Sequence, residues 1–563
     1  MNRVFACLIA ATFVAVAFAA GPALAQSPDT ILFNGKIITL DAQSTTQEAL
    51  AVRDGKILAV GSNDDIYTLR GPNTRVVDLA GRTVIPGLID SHIHAIRAAL
   101  FYATEVNWIG AKSIPEAMER IRAAAKAYQP GTWLIVAGGW TPQQFAEKRR
   151  PSEAELMAAA PDNPIYVQLF YANALLTPAG LKALNINGEA DLGPKAKFEK
   201  DEAGEPTGWI SGDGATITGL FDKLPVPTFE QSVTGTKLFF RELNRLGLTG
   251  VSDPGGFNLP APSYLPLFKV WQDHALTIRV MFSLFAQRPG KELEDIQVMT
   301  QMLPMGFGGD MLRFNGIGEN VAWGMYNNDN PSEAQKAQYY QIALWAARRG
   351  MTLTQHWNNN KSAHHLLDVF ERVNKEFPLA PLRWSIAHMN DATPDNLERM
   401  KALGVGWLMQ NAMYFGGEPF LKDRGIEAVR RTPPIMTALK MGLTVGGGTD
   451  AHRVMSYNPF VSLEWMVDGK TVAGMPTRGP DETPSREQAL RLYTQGSAWF
   501  TFDDDKRGTL EPGKLADLAV LTKDYMTVPA DQIGGIESVL TMVGGKIVYA
   551  AGSFAPLEQR VEN

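Results

Sequence analysis

Short apolar runs separated by turn residues occupy both ends of the chain. From Thr30 to about Arg82 they read TILFNGKIITL, EALAVRDGKILAVGS and TRVVDLAGRTVIPG, with Asn34-Gly35 and Asp54-Gly55 as hairpin signals. The C-terminal stretch has the same character: GKLADLAVLTKD, then VLTMVGGKIVYAAGS with Gly544-Gly545 at its turn. Such segments can pair across the chain, and residues 26–83 and 508–563 are assigned to one composite β-sandwich. Between them the period changes. Strand-length apolar runs at 249–253, 276–284, 311–318, 351–357, 382–389, 405–411 and 443–450 alternate with amphipathic stretches such as PSEAQKAQYYQIALWAARRG and SAHHLLDVFERVNKE. Repeated strand–helix units predict an α/β fold, and their number predicts a (β/α)8 TIM-type barrel over residues 84–507. Residues 97–240 break that rhythm and are too long for one connection. They are expected to form an insertion after the first barrel strand, near the barrel mouth.

The first residues do not belong to this pattern. A short positive start, the apolar run VFACLIAATFVAVAFAA and a small-residue ALA before Gln26 read as a secretory signal peptide over residues 1–25. No twin-arginine pair precedes it, so the general secretory route, with periplasmic or secreted location, is the expectation. The single cysteine, Cys7, lies in this leader, which leaves the mature chain without a thiol. Any metal must then be held by His, Asp, Glu or a modified Lys. No later segment is long and apolar enough to span a membrane, so no membrane association is expected after leader removal. The net charge of −6 over 563 residues comes without a basic stripe, which argues against nucleic acid as a partner. A small-molecule substrate is the expected partner, and homo-oligomerisation stays open.

The chain carries only 8 histidines, and two sit one residue apart in VIPGLIDSHIHA (84–95). On a strand, positions i and i+2 share a face, so His92 and His94 are expected to aim at one place. His356 ends MTLTQH, His388 ends LRWSIAH and Asp450 ends LTVGGGTD. In a parallel barrel every strand C-terminus opens onto the same face, so these five residues are expected to converge. Neutral imidazoles suit a divalent cation, zinc before iron or manganese, with an open position for water. Asp450 is placed to take the water's proton and pass it to a leaving amine. His364 and His365 lie within an amphipathic helix and His274 at a helix end, so all three read as surface or packing residues.

In this order GLIDSHIH, two strand-end histidines, GTDA and GTLEPGKLADLAVL resemble the metal-dependent amidohydrolase superfamily, and within it the amidohydrolase-3, or YtcJ-like, group. GGWTPQQF, LNRLGLTGVSD, LGVGWLMQ and ALRLYTQGSAWF support the likeness, which runs over essentially the whole mature chain. The resemblance implies a barrel with a composite sandwich, one or two divalent metals, and hydrolysis of C–N or related bonds. It makes His92, His94, His356 and Asp450 ligands, and His388 either a ligand or a contact that polarises the scissile carbonyl.

Several positions depart from that pattern. Gly212 stands where a bridging Glu is expected, with Asp213 beside it, and strand four carries Arg313 in place of a lysine that could be carboxylated. Asp-Gly-His is replaced by LFYANA, Gly-Asp after His356 by WNNN, and Ala387 precedes His388. One metal is therefore favoured over two, with Asp213 or Glu319 as candidates for a bridging carboxylate. His452 is a candidate substrate contact, provided the chain stays extended past Asp450. Trp140, Trp209 and Trp357 fall near expected mouth loops and suggest an aromatic or apolar substrate. The expected function is hydrolysis of an amide, N-acyl or cyclic amide bond by a metal-activated water. The altered bridge positions leave two alternatives: a non-catalytic periplasmic binding protein on the same scaffold, or a metal enzyme of redox chemistry.

Overall fold

A computed structural model describes residues 27–357 and 359–559; the leader assigned to residues 1–25 lies outside them. Two sheets pack around a shared apolar core that includes Leu32, Ile37, Leu50, Leu518, Leu540 and Ile547. The first is four-stranded and entirely N-terminal, in the order Lys56–Gly61, Ala49–Arg53, Thr30–Phe33, Arg75–Asp78. The second draws on both ends of the chain. Lys546–Ala550, Ser538–Val543 and Leu518–Leu521 continue into Thr83–Pro86, Lys36–Ile38 and Thr46–Gln47, with Val520 opposite Val84 in an antiparallel register. Asp54-Gly55 and Gly544-Gly545 make the expected tight hairpins, each with both residues at positive φ. Asn34-Gly35 is a turn of a different kind. The strands on either side of it pair with other partners, so it passes the chain from one sheet to the other.

Eight parallel strands carry the centre of the molecule. β1 (Leu88–Asp90), β2 (Leu248–Asp253), β3 (Arg279–Leu284) and β4 (Leu312–Ile317) form one four-stranded sheet, paired in sequence order. β5 (Thr354–Gln355), β6 (Ser385–Ala387), β7 (Gly406–Gln410) and β8 (Val445–Gly448) form the other. The two sheets meet at both seams. Ile317 bridges Leu353 in parallel, and the Ser91 N–H donates to Gly447 O at 3.0 Å. Helices follow the strands and bury their apolar faces against them. Glu333–Arg348 begins with a capping box, Ser332 with Gln335, and Asn360–Glu376 is capped by Asn359. Most strands are shorter than the apolar runs that announce them. MTLTQHW keeps only two strand residues, because the chain turns away to present its last side chains to the strand ends.

Between β1 and β2, a five-stranded sheet runs Lys197–Lys200, Pro206–Ser211, Asn173–Leu176, Ile165–Leu169, Leu134–Val136. It has its own apolar clusters, one around Trp108, Trp140, Phe145 and Trp209, the other around Tyr166, Ile210 and Ile217. Among the described residues no helix is long and apolar enough to cross a membrane.

Candidate metal centre

β1 stops at Asp90, so strand alternation is not what brings His92 and His94 together. His92 lies two residues past the strand, and His94 caps the helix Ala95–Phe101 with φ −77° and ψ 59°. Their rings nevertheless meet edge to face, with centroids 5.6 Å apart. Asp90 holds the intervening turn from below. Its carboxylate accepts from the His92 N–H at 3.0 Å and from Thr449 N–H and Oγ1–H at 3.1 and 2.6 Å, tying β1 to β8. Burial pushes the Asp90 carboxyl up to about 7. The carboxylate of Asp253, at the end of β2, accepts from the Ile96 and Gly255 N–H groups at 2.7 and 2.8 Å, the first of which fixes the start of the helix Ala95–Phe101 that follows β1. Both aspartates escaped the sequence reading, although TGVSD marks Asp253 as a strand-end acid.

Six side chains converge above these supports. Glu319, just past β4, is the centre. Its Oε2 lies 3.0 Å from His356 Nδ1, 3.2 Å from His388 Nε2 and 3.3 Å from His92 Nε2, while Oε1 lies 3.5 Å from His94 Nε2. Asp450 Oδ1 stands 3.3 Å from His94 Nε2 and 3.7 Å from His92 Nε2, and Oδ2 is 3.8 Å from His388 Nδ1. His356 Nδ1 and His388 Nε2 approach to 2.9 Å. Asp450 reaches this position through a left-handed backbone, φ 57°, with its N–H donating to His92 O at 2.8 Å. His388 is also left-handed, φ 72°; its N–H donates to Gln410 Oε1, and Trp407 Nε1–H donates to its carbonyl.

The donor set fits a divalent cation. His94 Nδ1 lies 2.6 Å from Gly255 O and must donate there, which leaves Nε2 as a lone-pair donor facing the acids. Both ring nitrogens of His92 and Nε2 of His356 are buried without a hydrogen-bond partner. Buried polar atoms are rarely left unmade, so orphaned imidazole nitrogens in a cluster of acids indicate a ligand. Two groups have ligand atoms close enough for one ion: His92, His94 and Asp450, and His92, Glu319 and His388. Without a cation, burial holds His92 below its ordinary pKa. Burial and Arg97 also oppose charge on His94, yet its contacts with Asp450 and Glu319 push it up to about 10. Burial disfavours a charged Glu319, but the surrounding imidazoles, His356 first, hold it well below the usual carboxylate range.

The centre opens into a cavity of about 730 Å³ walled by Tyr171, Phe257, Trp323, Tyr326 and Phe415. Tyr326 stacks on His356 with centroids 4.5 Å apart. These aromatics replace the tryptophans expected at the mouth. Trp140 and Trp209 lie in the core of the inserted sheet, their Nε1–H groups donating to Gln168 O and Pro151 O, and Trp357 is fully buried in the main core. Tryptophans at loop positions close the interior of their own layer here.

Asp213 is not a bridge. It is the N-cap of Gly214–Phe221, accepting from the Thr216 N–H and pairing with Lys195 at 2.9 Å. Arg313 sits lower on β4 and pairs with Asp503. His452 does not face the cavity either, because the left-handed turn at Asp450 breaks the extended path. Its Nε2 lies 3.0 Å from Glu105 Oε2, beside Arg453, lining a separate pocket of about 220 Å³. His364 lies beside Arg399 and His365 beside the Asp329 carbonyl, both outside the cluster.

A family model described as "Amidohydrolase family" matches residues 75–549. N-substituted formamide deformylase from Arthrobacter pascens is 25% identical over 550 residues, covering 93% of this chain and 99% of its own. Putative amidohydrolase YtcJ from Bacillus subtilis is 24% identical over 547 residues, covering 92% and 99%. An uncharacterized metal-dependent hydrolase from Pyrococcus horikoshii has a similar structure, with a TM-score of 0.64 and 24% identity over 89% of this chain and 99% of that one.

Proposed function

Since this chain belongs to the amidohydrolase family, we propose that it hydrolyses an amide, N-acyl or cyclic amide C–N bond of a small, fairly apolar molecule. The observation that carries this reading is the convergence of His92, His94, Glu319, His356, His388 and Asp450 at the floor of an aromatic-walled cavity. Supporting it is the formamide deformylase relative, whose named reaction breaks such a bond. The scaffold fits as well: with pairing at both seams, the two parallel sheets read as one closed (β/α)8 barrel.

Glu319 turns one oxygen toward His94 and the other toward His92, His356 and His388, which favours two cation positions with a shared carboxylate over the single position expected from sequence. His92, His94 and Asp450 would hold one cation and His356, His388 and Glu319 the other, zinc before iron or manganese for this N/O set. Such cations polarise a carbonyl and lower the pKa of water beside them to near neutrality. The protein's own groups do the rest. Asp450 accepts the proton released as water adds to the carbonyl carbon, and returns it to the nitrogen as the C–N bond breaks, giving an acid and an amine. The aromatic walls orient the substrate and exclude bulk water. The leader read at residues 1–25 is the ground for proposing that this chemistry takes place in the periplasm or outside the cell; N-terminal sequencing of exported protein beginning at Gln26 would support that, and protein retaining residues 1–25 would contradict it.

Elemental analysis of protein purified without chelator, beside an assay on N-formyl and N-acetyl amines, tests the proposal. The expected result is two divalent cations per chain and turnover that Asp450→Asn lowers by about 10³-fold or more. No metal, no uptake on adding it, and no turnover would leave the binding-protein alternative.

A further inference from the structure

One charge in the cavity is held by no hydrogen bond or ion pair among the described residues, only by the longer-range attraction of the buried Glu105 and Asp253 carboxylates. Arg97 follows His94 by three residues, on the helix Ala95–Phe101, and is only 7% exposed. Among the described residues no hydrogen bond or ion pair closes on its guanidinium, and its Nε is buried with no partner. A buried guanidinium with no hydrogen-bonded acceptor is costly unless a ligand completes it. The neighbouring buried cation makes the contrast. Arg453 donates to Ala137 O at 3.0 Å, lies 3.5 Å from Glu105 and stacks 4.0 Å over Phe221.

Arg97 also stands at a junction. It lines the cavity above the metal centre and a second chamber of about 360 Å³, whose walls include Phe101, Phe221, Pro225, Val226, Phe229 and Pro266. Tyr171, Thr218, Phe257 and Asn258 border both spaces, as does Asp222, whose carboxylate accepts from Asn258 Nδ2 at 2.7 Å. The distance to the centre is short. A Cβ placed on Gly256 would lie 3.3 Å from His94 Nδ1 and 3.7 Å from Arg97 Nη1, so those nitrogens are no farther apart than the two distances together. Bare glycine backbone separates the two groups.

We propose that Arg97 is a specificity residue that binds a carboxylate on the substrate, a few bonds from the scissile amide, while the second chamber takes an apolar part of the same molecule. This rests on the hydrolase reading above. A single planar guanidinium fork matches the two oxygens of a carboxylate. Its helix begins at a metal ligand, so the carboxylate and the scissile carbonyl are registered against one rigid element. The amide class proposed above thereby narrows to amides that also carry one carboxylate.

The test compares matched pairs: N-formylphenylalanine with its amide, and 4-(formamidomethyl)benzoate with the corresponding benzamide. Wild type is expected to prefer an acid over its amide in kcat/KM. Arg97→Met should lower kcat/KM for that acid by about 10- to 100-fold and leave the neutral partner within about threefold, with Arg97→Lys between. Equal use of acid and amide by wild type, or equal loss on both in Arg97→Met, would overturn the proposal. Binding of 4-methylbenzoate against 4-methylbenzamide, followed by calorimetry, separates it from the hydrolase reading. Selective acid binding abolished in Arg97→Met supports the carboxylate site even with no turnover, and its absence overturns it. Because the cation makes no hydrogen bond or ion pair within the protein, the Tm of Arg97→Met should stay close to or exceed that of wild type. A clear fall would make Arg97 a structural residue and overturn the assignment.

Discussion

At the scale of the residue, Glu319 decides how the centre is used. One of its oxygens faces His94 and the other sits within 3.0–3.3 Å of His92, His356 and His388, a closer set of histidine contacts than Asp450 makes. Glu319→Gln should lower the metal content from two cations per chain to one or none, with kcat/KM falling by about 100-fold or more. Elemental analysis alongside the assay would show both. Asp253 contributes through pH. Burial pushes its carboxyl up to about 6, so the metal-free native state holds a proton there that the unfolded chain releases near pH 4. Between those values the native state binds more protons, and stability therefore falls as pH rises. The two-unit difference amounts to about 3 kcal/mol. Chelator-treated Asp253→Asn should show a flatter stability curve from pH 4 to 6 in urea titrations than wild type does.

At the scale of the element, the glycines of β8 show why the centre needs its particular strand. A Cβ on Gly448 would stand 2.8 Å from the His92 N and 3.1 Å from Asp90 Oδ1, and one on Gly447 would stand 2.6 Å from the Tyr493 ring. The turn that carries His92 can lie against β8 only where no side chain intervenes. Gly448→Ala should weaken cation binding by about 10- to 100-fold while the circular dichroism spectrum stays as in wild type; unchanged metal affinity would refute this. The same element marks the limits of sequence reading. Apolar runs ending in His or Asp were legible because a buried parallel strand is a continuous apolar run and its polar end is conspicuous. Less legible was how the chain leaves each strand. The left-handed residues at Asp450 and His388 turn side chains through directions that period-two alternation does not anticipate, which is why His452 reaches Glu105 and misses the cavity. Glu319 was half visible, as an acid after a strand. Tyr326 and Arg97 carried no spacing signal, although a lone arginine in the otherwise apolar AIRAALF was a usable sign.

At the scale of the whole molecule, a buried ion pair joins the terminal sheets to the parallel strands. Arg279 on β3 donates Nε and Nη2 to Asp517 at 2.7 and 3.0 Å, and Asp517 also receives the Gly544 N–H. Asp517→Ala would leave the guanidinium buried and unpaired, which costs about 3–5 kcal/mol. Chemical denaturation should show that loss directly, and a change under 1 kcal/mol would contradict it. The pairing of Val84 with Val520 has a further meaning for how the protein is made. Thr83–Pro86 emerges early in synthesis, and its neighbour Leu518–Leu521 is among the last strands to appear. Throughout elongation that early strand presents an open edge, the kind of surface on which nascent chains aggregate. The second sheet therefore stays incomplete, with the edge of Thr83–Pro86 open, until Leu518–Leu521 is available to pair with it.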